Sequence, residues 1–243
     1  MKKQPKLILR ESAVWDMTRN FIPGSFVEMG AGTGHMASLF LARGFHGACH
    51  DMGDSSRDLI RKRFENDRDR LQVVDELSDL SVNHFDYLMA FEVLEHVPED
   101  GDVLSQWLEY LKSGGIFIAS VPAHQRKFGR SDEIVGHVRR YERLQMHKLL
   151  ESVGLKEIKM VNYGYPITEL TRTLSNRIVS GDKSYDSLDQ KQKSILSAQT
   201  KPLAIKKMLS LVSGHMVQPF CHLQRWFYRW DLGDGLVVVA KKP

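Results

Sequence analysis

The sequence predicts an α/β fold, an open sheet with helices on both faces, organised around a cradle for a nucleotide-type ligand. Three observations carry that expectation. First, residues 26–37 read as a short buried strand, a glycine turn and the first turn of a helix. Val27 and Met29 are the apolar strand positions, Gly30, Gly32 and Gly34 punctuate the turn, and Met36, Leu39 and Phe40 begin an apolar helical face. Second, Ala48-Cys49-His50 is another short strand pattern that ends on an acid, Asp51, 23 residues beyond Glu28. Third, an amphipathic helix over 101–113 leads through Gly114-Gly115 into the apolar run Ile116–Val121, the pattern of a strand buried on both faces.

Composition sets the frame. A chain of 243 residues is long enough for one full α/β domain, so a single domain over 1–243 is expected. The hydrophobic and charged fractions, 42% and 26%, are those of an ordinary globular protein. Net charge is +4 with pI near 9.0, and no Lys/Arg run is long enough for a nucleic-acid arm. Cys49 and Cys221 provide neither a disulfide framework nor zinc-ligand spacing, so no metal is expected. Met1-Lys2-Lys3-Gln4-Pro5 does not open a signal peptide, and no stretch approaches the ~20 apolar residues of a membrane span. A reducing cytoplasmic location is the default expectation.

Taken in order, the chain first shows helical spacing over 12–22 at Val14, Met17 or Thr18, and Phe21, closed by Pro23-Gly24. Trp15 and Arg10 on that helix either face a ligand mouth or fill the edge of the core. The glycine turn follows. Glycine is required where the backbone takes positive φ or where a Cβ would shield backbone from a ligand, and the next helix turns unpaired N–H groups into the same space. At the carboxyl end of a strand this makes a cradle. The dinucleotide fingerprint G-x-G-x-x-G would need glycine where His35 stands, and the actual spacing is acid-x-G-x-G-x-G with Glu28 in the strand end. This resembles the first motif of class I S-adenosyl-L-methionine (SAM)-dependent methyltransferases. The resemblance implies SAM as cofactor, with S-adenosyl-L-homocysteine as product, bound by Glu28, Gly30, Ala31, Gly32 and Gly34. Carboxylate and carbonyl oxygens near the turn suit a sulfonium and an ammonium. The plain alternative is a glycine-rich βα turn and nothing more.

The separation of Asp51 from Glu28 is close to that at which a doubly wound fold sets an acid against ribose hydroxyls. Met52 accompanies it, and Asp54 is a rival for the same role. A helix with Leu59, Ile60 and Phe64 precedes the strand pattern Leu71–Asp75; by the resemblance, Asp75, Glu76 and Leu77 fall where the adenine is recognised. Phe85–Ala90 is the fourth strand pattern. The run FDYLMAFEVLEHV, residues 85–97, resembles the segment after strand four in the small-molecule branch of the same family. There the backbone of Phe91, Glu92 and Val93 would touch the methionyl end of the cofactor, and the Glu95-His96 pair would sit beside the reaction centre. A Pro-Pro-aromatic element, typical of enzymes that methylate amide or base nitrogens, is absent. That argues against nucleic acid and protein glutamine as acceptors. His96 is a candidate general base, or else a structural histidine bonded to a carbonyl.

Beyond strand five, His124, Gly136-His137, Arg139-Arg140 and Tyr141 resemble a loop of bacterial members acting in cell-surface or secondary-metabolite pathways. His137 and Tyr141 join His96 as catalytic candidates. Trp15, His124, Arg139, Arg140 and Tyr163 are candidates to bind the acceptor, and the arginines would suit an anionic one. A helix with Met146, Leu149 and Leu150 then leads to a sixth strand, Lys156–Tyr163, and Leu236–Ala240 reads as the last. The resemblance implies a Rossmann-like seven-stranded mixed sheet whose last strand runs antiparallel. Residues 164–233, inserted before it, are expected to form a helical cap with helices at Ile167–Val179, Leu188–Ala198, Ile205–Val212 and Pro219–Trp230. Trp226, Phe227, Tyr228 and Trp230 either line an acceptor pocket there or hold the cap to the core; the insertion is also a candidate homodimer contact. The expected activity is SAM-dependent methylation of a small molecule at oxygen or nitrogen. Three alternatives stand beside it: a SAM-consuming enzyme that cyclises SAM or transfers another group from it, a SAM-binding partner subunit without turnover, and an RNA methyltransferase or binder, which the basic pI suggests and the missing Pro-Pro-aromatic element argues against.

Overall fold

The computed structural model describes residues 5–169, 172, 193 and 214–243. Helix α1 (Pro5–Thr18) begins earlier than the apolar spacing predicts and stops at Thr18, whose hydroxyl donates to the Val14 carbonyl at 2.8 Å. Then follow β1 (Ser25–Met29), α2 (His35–Leu41), β2 (His46–His50), α3 (Asp54–Arg63), β3 (Leu71–Val74), β4 (Phe85–Phe91) and α4 (Asp100–Leu108). After them come β5 (Leu111–Pro122), α5 (Arg130–Val135), α6 (Arg143–Ser152), β6 (Lys156–Tyr163), α7 (Gly214–Leu223) and β7 (Gly235–Lys241). The strands form one seven-stranded sheet in the order β3-β2-β1-β4-β5-β7-β6, mixed because β7 is antiparallel. β1 pairs in parallel with β2 and β4, placing Val27 opposite Ala48 and Leu88. The order reverses beside β1, so the carboxyl ends of β1 and β4 open the crevice where such sheets bind ligands.

Two expectations of local structure are corrected. The helix predicted over 101–113 ends at Leu108, and Leu111–Pro122 is a strand, with Gly114 at φ 77° within it. Non-local bonds stop it: the carbonyls of Glu109 and Tyr110 accept from the N–H groups of Asn83, His84 and Phe85. The helix predicted at Pro219–Trp230 is instead α7 followed by a 3₁₀ turn, Gln224–Phe227. The helices expected at 167–179, 188–198 and 205–212 lie largely outside the described residues.

The chain divides into two compact units. One consists of Phe21–Ala119, Met146–Lys159 and Val238–Pro243. Its core contains Phe26, Val27, Phe40, Phe45, Leu88 and Met89, all essentially inaccessible. Phe40 and Phe45 meet edge to face with ring centres 5.2 Å apart. The other takes the described residues of Met1–Asn20, Ser120–Gln145 and Met160–Val237, with Leu9, Ala13, Tyr141 and Tyr163 in its core.

Candidate functional site

In the unit that holds the glycine turn, Gly30, Gly32 and Gly34 all take positive φ (66°, 56° and 66°). Conformation and contact both demand glycine at position 30, where a Cβ would lie 2.6 Å from Val93 Cγ2. The loop after β4 therefore packs directly on the turn. It is itself strained, since Glu92 has φ 57°.

The turn is tied to the end of β2. The Ala31 N–H donates to the His50 carbonyl at 3.1 Å, and Asp51 accepts from Gly32 N–H through Oδ2 (2.8 Å) and from Gly53 N–H through Oδ1 (3.0 Å). Asp51 is only 8% exposed, and Glu28, at the end of β1, 2%. Between them in the core lies Cys49, whose thiol is pushed well up by burial first and then by the charges of Glu28 and Asp51. Two buried carboxylates at the crevice end of adjacent strands are costly without compensation, and they make the site electronegative. That donor set fits a cationic nucleoside such as SAM.

Sequence reasoning missed Arg57. From α3 its guanidinium donates to the Asp51 carbonyl (2.6 Å), to Asp75 Oδ1 (2.9 Å) and, closely, to Asp54. Arg61 adds a bond to Asp75 Oδ2 at 2.7 Å, and it holds the Asp75 carboxyl below its ordinary range. Asp75, expected to read an adenine amine, thus already meets two arginines on the surface. Three acids at 51, 54 and 75 were the available signal that a cation must stand among them. Met52 and Glu76 are exposed, Leu77 half-buried and Phe91 buried. His96 closes a 3₁₀ turn, Leu94–His96, with its N–H on the Val93 carbonyl, and Glu95 beside it is fully buried.

In the other unit, the loop after β5 buries three of its charged residues, Lys127, Asp132 and Arg140. Arg140, expected to face an acceptor, is 4% exposed. Its Nε donates to both oxygens of Asp132 (3.1 and 3.0 Å), and Nη1 to Asp234 Oδ1 (2.9 Å) and the Ala123 carbonyl (3.3 Å). Lys6 reaches the other oxygen of Asp234 at 3.2 Å. Burial works to raise the Asp132 carboxyl, but the bond from His137 and the charge of Arg140 outweigh it and hold it below the usual carboxylate range. Against desolvation, the charges of Asp234 and then Asp132 raise Arg140 further. His137 Nδ1 lies 2.8 Å from Asp132 Oδ1, so His137 and Arg140 are joined through one carboxylate.

The remaining candidates are distributed differently from the expectation. Tyr141 is inaccessible, and its main chain lies alongside Ala123: its N–H donates to the Pro122 carbonyl (2.9 Å) and its carbonyl accepts from His124 N–H (3.0 Å). Tyr163 is likewise in the core, against Gly235. His124 is buried with Nδ1 3.2 Å from Glu142 and Nε2 3.7 Å from Asp231. Arg139 is half-buried and Trp15 is half exposed on α1. A cavity of about 240 Å³ is lined by Glu133, Gly136, His137, Val138 and Lys193.

A family model described as a methyltransferase domain matches residues 5–159, well over half of the chain. The chain belongs to this methyltransferase family. Solved structures share the fold at low identity. Phosphoethanolamine N-methyltransferase 2 from Haemonchus contortus, solved with SAM, is 16% identical with a TM-score of 0.59, over 96% of this chain and 52% of that one. This methyltransferase therefore spans about half the length of the Haemonchus protein. A SAM-dependent methyltransferase from Thermotoga maritima is 15% identical with a TM-score of 0.60, over 98% and 92% of the two chains. The cyclase SpnF is 17% identical with a TM-score of 0.56, over 98% and 81%. No curated protein matches the sequence.

Proposed function

We propose that this methyltransferase uses SAM to methylate a small-molecule acceptor at oxygen or nitrogen. The observation that carries the reading is the pair of buried carboxylates, Glu28 and Asp51, closing on a positive-φ glycine turn at the crevice end of β1 and β2. When bound, SAM supplies a methyl group already activated on sulfonium. The protein's contribution is then mainly alignment, which is worth several kcal/mol of barrier. Glu28 sets a negative potential for the cationic end, and Asp51 accepts from the ribose while holding the turn. The Glu76 backbone and Leu77 face the adenine, with Asp75 kept for its arginines. The strained Phe91-Glu92-Val93 backbone takes the methionyl end.

On the acceptor side, His137 is the candidate base. With Asp132 accepting from Nδ1–H, Nε2 becomes the basic nitrogen that takes a proton from an acceptor hydroxyl or ammonium. Lys193 on the same cavity favours an anionic acceptor. Arg140 and Tyr141 support this loop from within. The Haemonchus enzyme is named for an anionic amine, which makes phosphorylated ethanolamines the first acceptors to try.

The test is to incubate the protein with SAM and fractionated small-molecule acceptors and to quantify nucleoside products by mass spectrometry. S-adenosylhomocysteine formed only with acceptor supports methylation. Methylthioadenosine formed from SAM alone would replace the proposal with transfer from the other arm of the cofactor. SAM affinity without any product over the acceptor range would replace it with a binding subunit.

A further inference from the structure

Asp51 and Asp75 each follow directly on a paired strand end. His50 lies opposite Val74 in the ladder between β2 and β3, so the two acids leave neighbouring strands side by side. Like charges so placed repel unless a cation stands between them. Arg57 occupies that position. Its side chain is only 12% exposed, against 90% for Asp54 and 57% for Asp75. Every nitrogen of its guanidinium is in use: Nε donates to Asp75 Oδ1 (2.9 Å), Nη1 to the Asp51 carbonyl (2.6 Å) and Nη2 to Asp54. A rigid planar fork fixes the directions of its acceptors, which a rotating ammonium does not.

The helix sets this fork in place. Arg57 lies in the first turn of α3, with its own N–H on the Gly53 carbonyl at 3.0 Å. Arg61, one turn further on the same face, donates to Asp75 Oδ2 at 2.7 Å. Both oxygens of Asp75 are thereby committed to α3. Asp51 is held from two sides, by the Gly32 and Gly53 N–H groups on its carboxylate and by Arg57 on its carbonyl. The segment after β3 closes on itself at its far end, where Glu76 N–H donates to Asp79 Oδ2 at 3.3 Å. Its near end is set by Asp75 and the two arginines.

Resting on the cofactor reading above, we propose that Arg57 is a positioning residue for the nucleoside half of SAM. It fixes the ribose segment at 51–53 against the base segment at 75–77, and Asp75 is its anchor instead of a reader of the base amine. Segments fixed before the ligand arrives do not have to be ordered by it, which is how a residue outside the pocket strengthens binding.

Calorimetric binding of S-adenosylhomocysteine and methylthioadenosine to the full chain, measured well below each variant's melting temperature, tests this without an acceptor. Arg57→Met should weaken both ligands by about tenfold or more, because methylthioadenosine keeps the ribose and base that Arg57 serves. Arg57→Lys, which keeps the charge and loses the fork, should recover only part of that loss. Arg61→Met leaves the Arg57 bonds in place and should cost about threefold at most. The deciding comparison uses S-inosylhomocysteine, which has a carbonyl where adenine has its amine. Asp75→Asn should weaken the adenosyl and inosyl ligands by the same factor, and should add little in an Arg57→Met background. A loss confined to the adenosyl ligand would make Asp75 the base reader and overturn the proposal. So would an Asp75→Asn protein that binds both ligands as the parent does, or additive losses in the double variant. A parent that binds neither adenosyl compound would remove the cofactor reading as well, whereas a parent that binds them no better than Arg57→Met would remove this inference alone.

Discussion

Gly30→Ala tests whether the turn is built as described. At φ 66° an alanine enters the left-handed region, at a cost of about 1–2 kcal/mol. Its Cβ would also stand 2.6 Å from Val93 Cγ2 and 3.0 Å from Cγ1, and relieving that overlap costs about 1–3 kcal/mol more. The sum, about 2–5 kcal/mol, should lower the melting temperature by roughly 4–20 °C for a chain of this size. The two costs can be separated. In a Val93→Ala background the steric part disappears and only the conformational part remains, so the same substitution should cost about 1–2 kcal/mol there. Thermal unfolding by circular dichroism on the four proteins gives the cycle. A Gly30→Ala protein that melts within a degree or two of the parent would refute the reasoning. An undiminished cost in the Val93→Ala background would show that Val93 is not what the turn leans on.

Other expectations follow from the buried charges. Asp51→Ala leaves the Gly32 and Gly53 N–H groups without their acceptor, so it should cost about 2–5 kcal/mol in denaturant melts even without cofactor, and SAM affinity should fall as well. Arg140→Met removes the guanidinium shared by Asp132 and Asp234, leaving them only His137 and Lys6 as charged neighbours named above, and should cost about 3–5 kcal/mol; a near-neutral result would mean that water reaches them. Asp132 titrates below its ordinary value in the folded chain, so its contribution is complete above the unfolded carboxylate value of ~3.9 and is lost as pH falls through the folded value. Asp132→Asn should therefore be less stable than the parent in urea at neutral pH, with the gap closing in acid; a gap constant with pH would contradict the pairing. Cys49, with its thiol pushed up by burial and two carboxylates, should resist a thiol reagent until the protein unfolds, while half-buried Cys221 reacts earlier.

Much of the first unit was legible because its signals are local. The apolar runs at 25–29, 46–50 and 85–91 form strands with nearly the predicted bounds, and the three turn glycines all take the positive φ that made glycine informative. Helix ends were less legible. The stop at Leu108 depends on carbonyls captured by residues 83–85, more than twenty positions earlier, and no window around 109 contains that information. The charged loop after β5 was hardest. Arg139 and Arg140 are adjacent and chemically alike, yet Arg140 belongs to the interior because Asp234, 94 residues later, comes to meet it.

By itself the sequence determined the order of the seven strands, the glycine turn at the crevice and the acids that follow the strands. Apolar periodicity and φ preference are properties of a residue and its near neighbours, and so they survive without a fold. Only the tertiary structure decided which charges are spent inside. It bound Asp51 to backbone N–H groups, surrounded Asp75 with Arg57 and Arg61, closed Arg140 between two carboxylates and left Trp226 and Trp230 in solvent. The field at a side chain depends on distant segments brought within a few ångströms, and chain order does not record those distances.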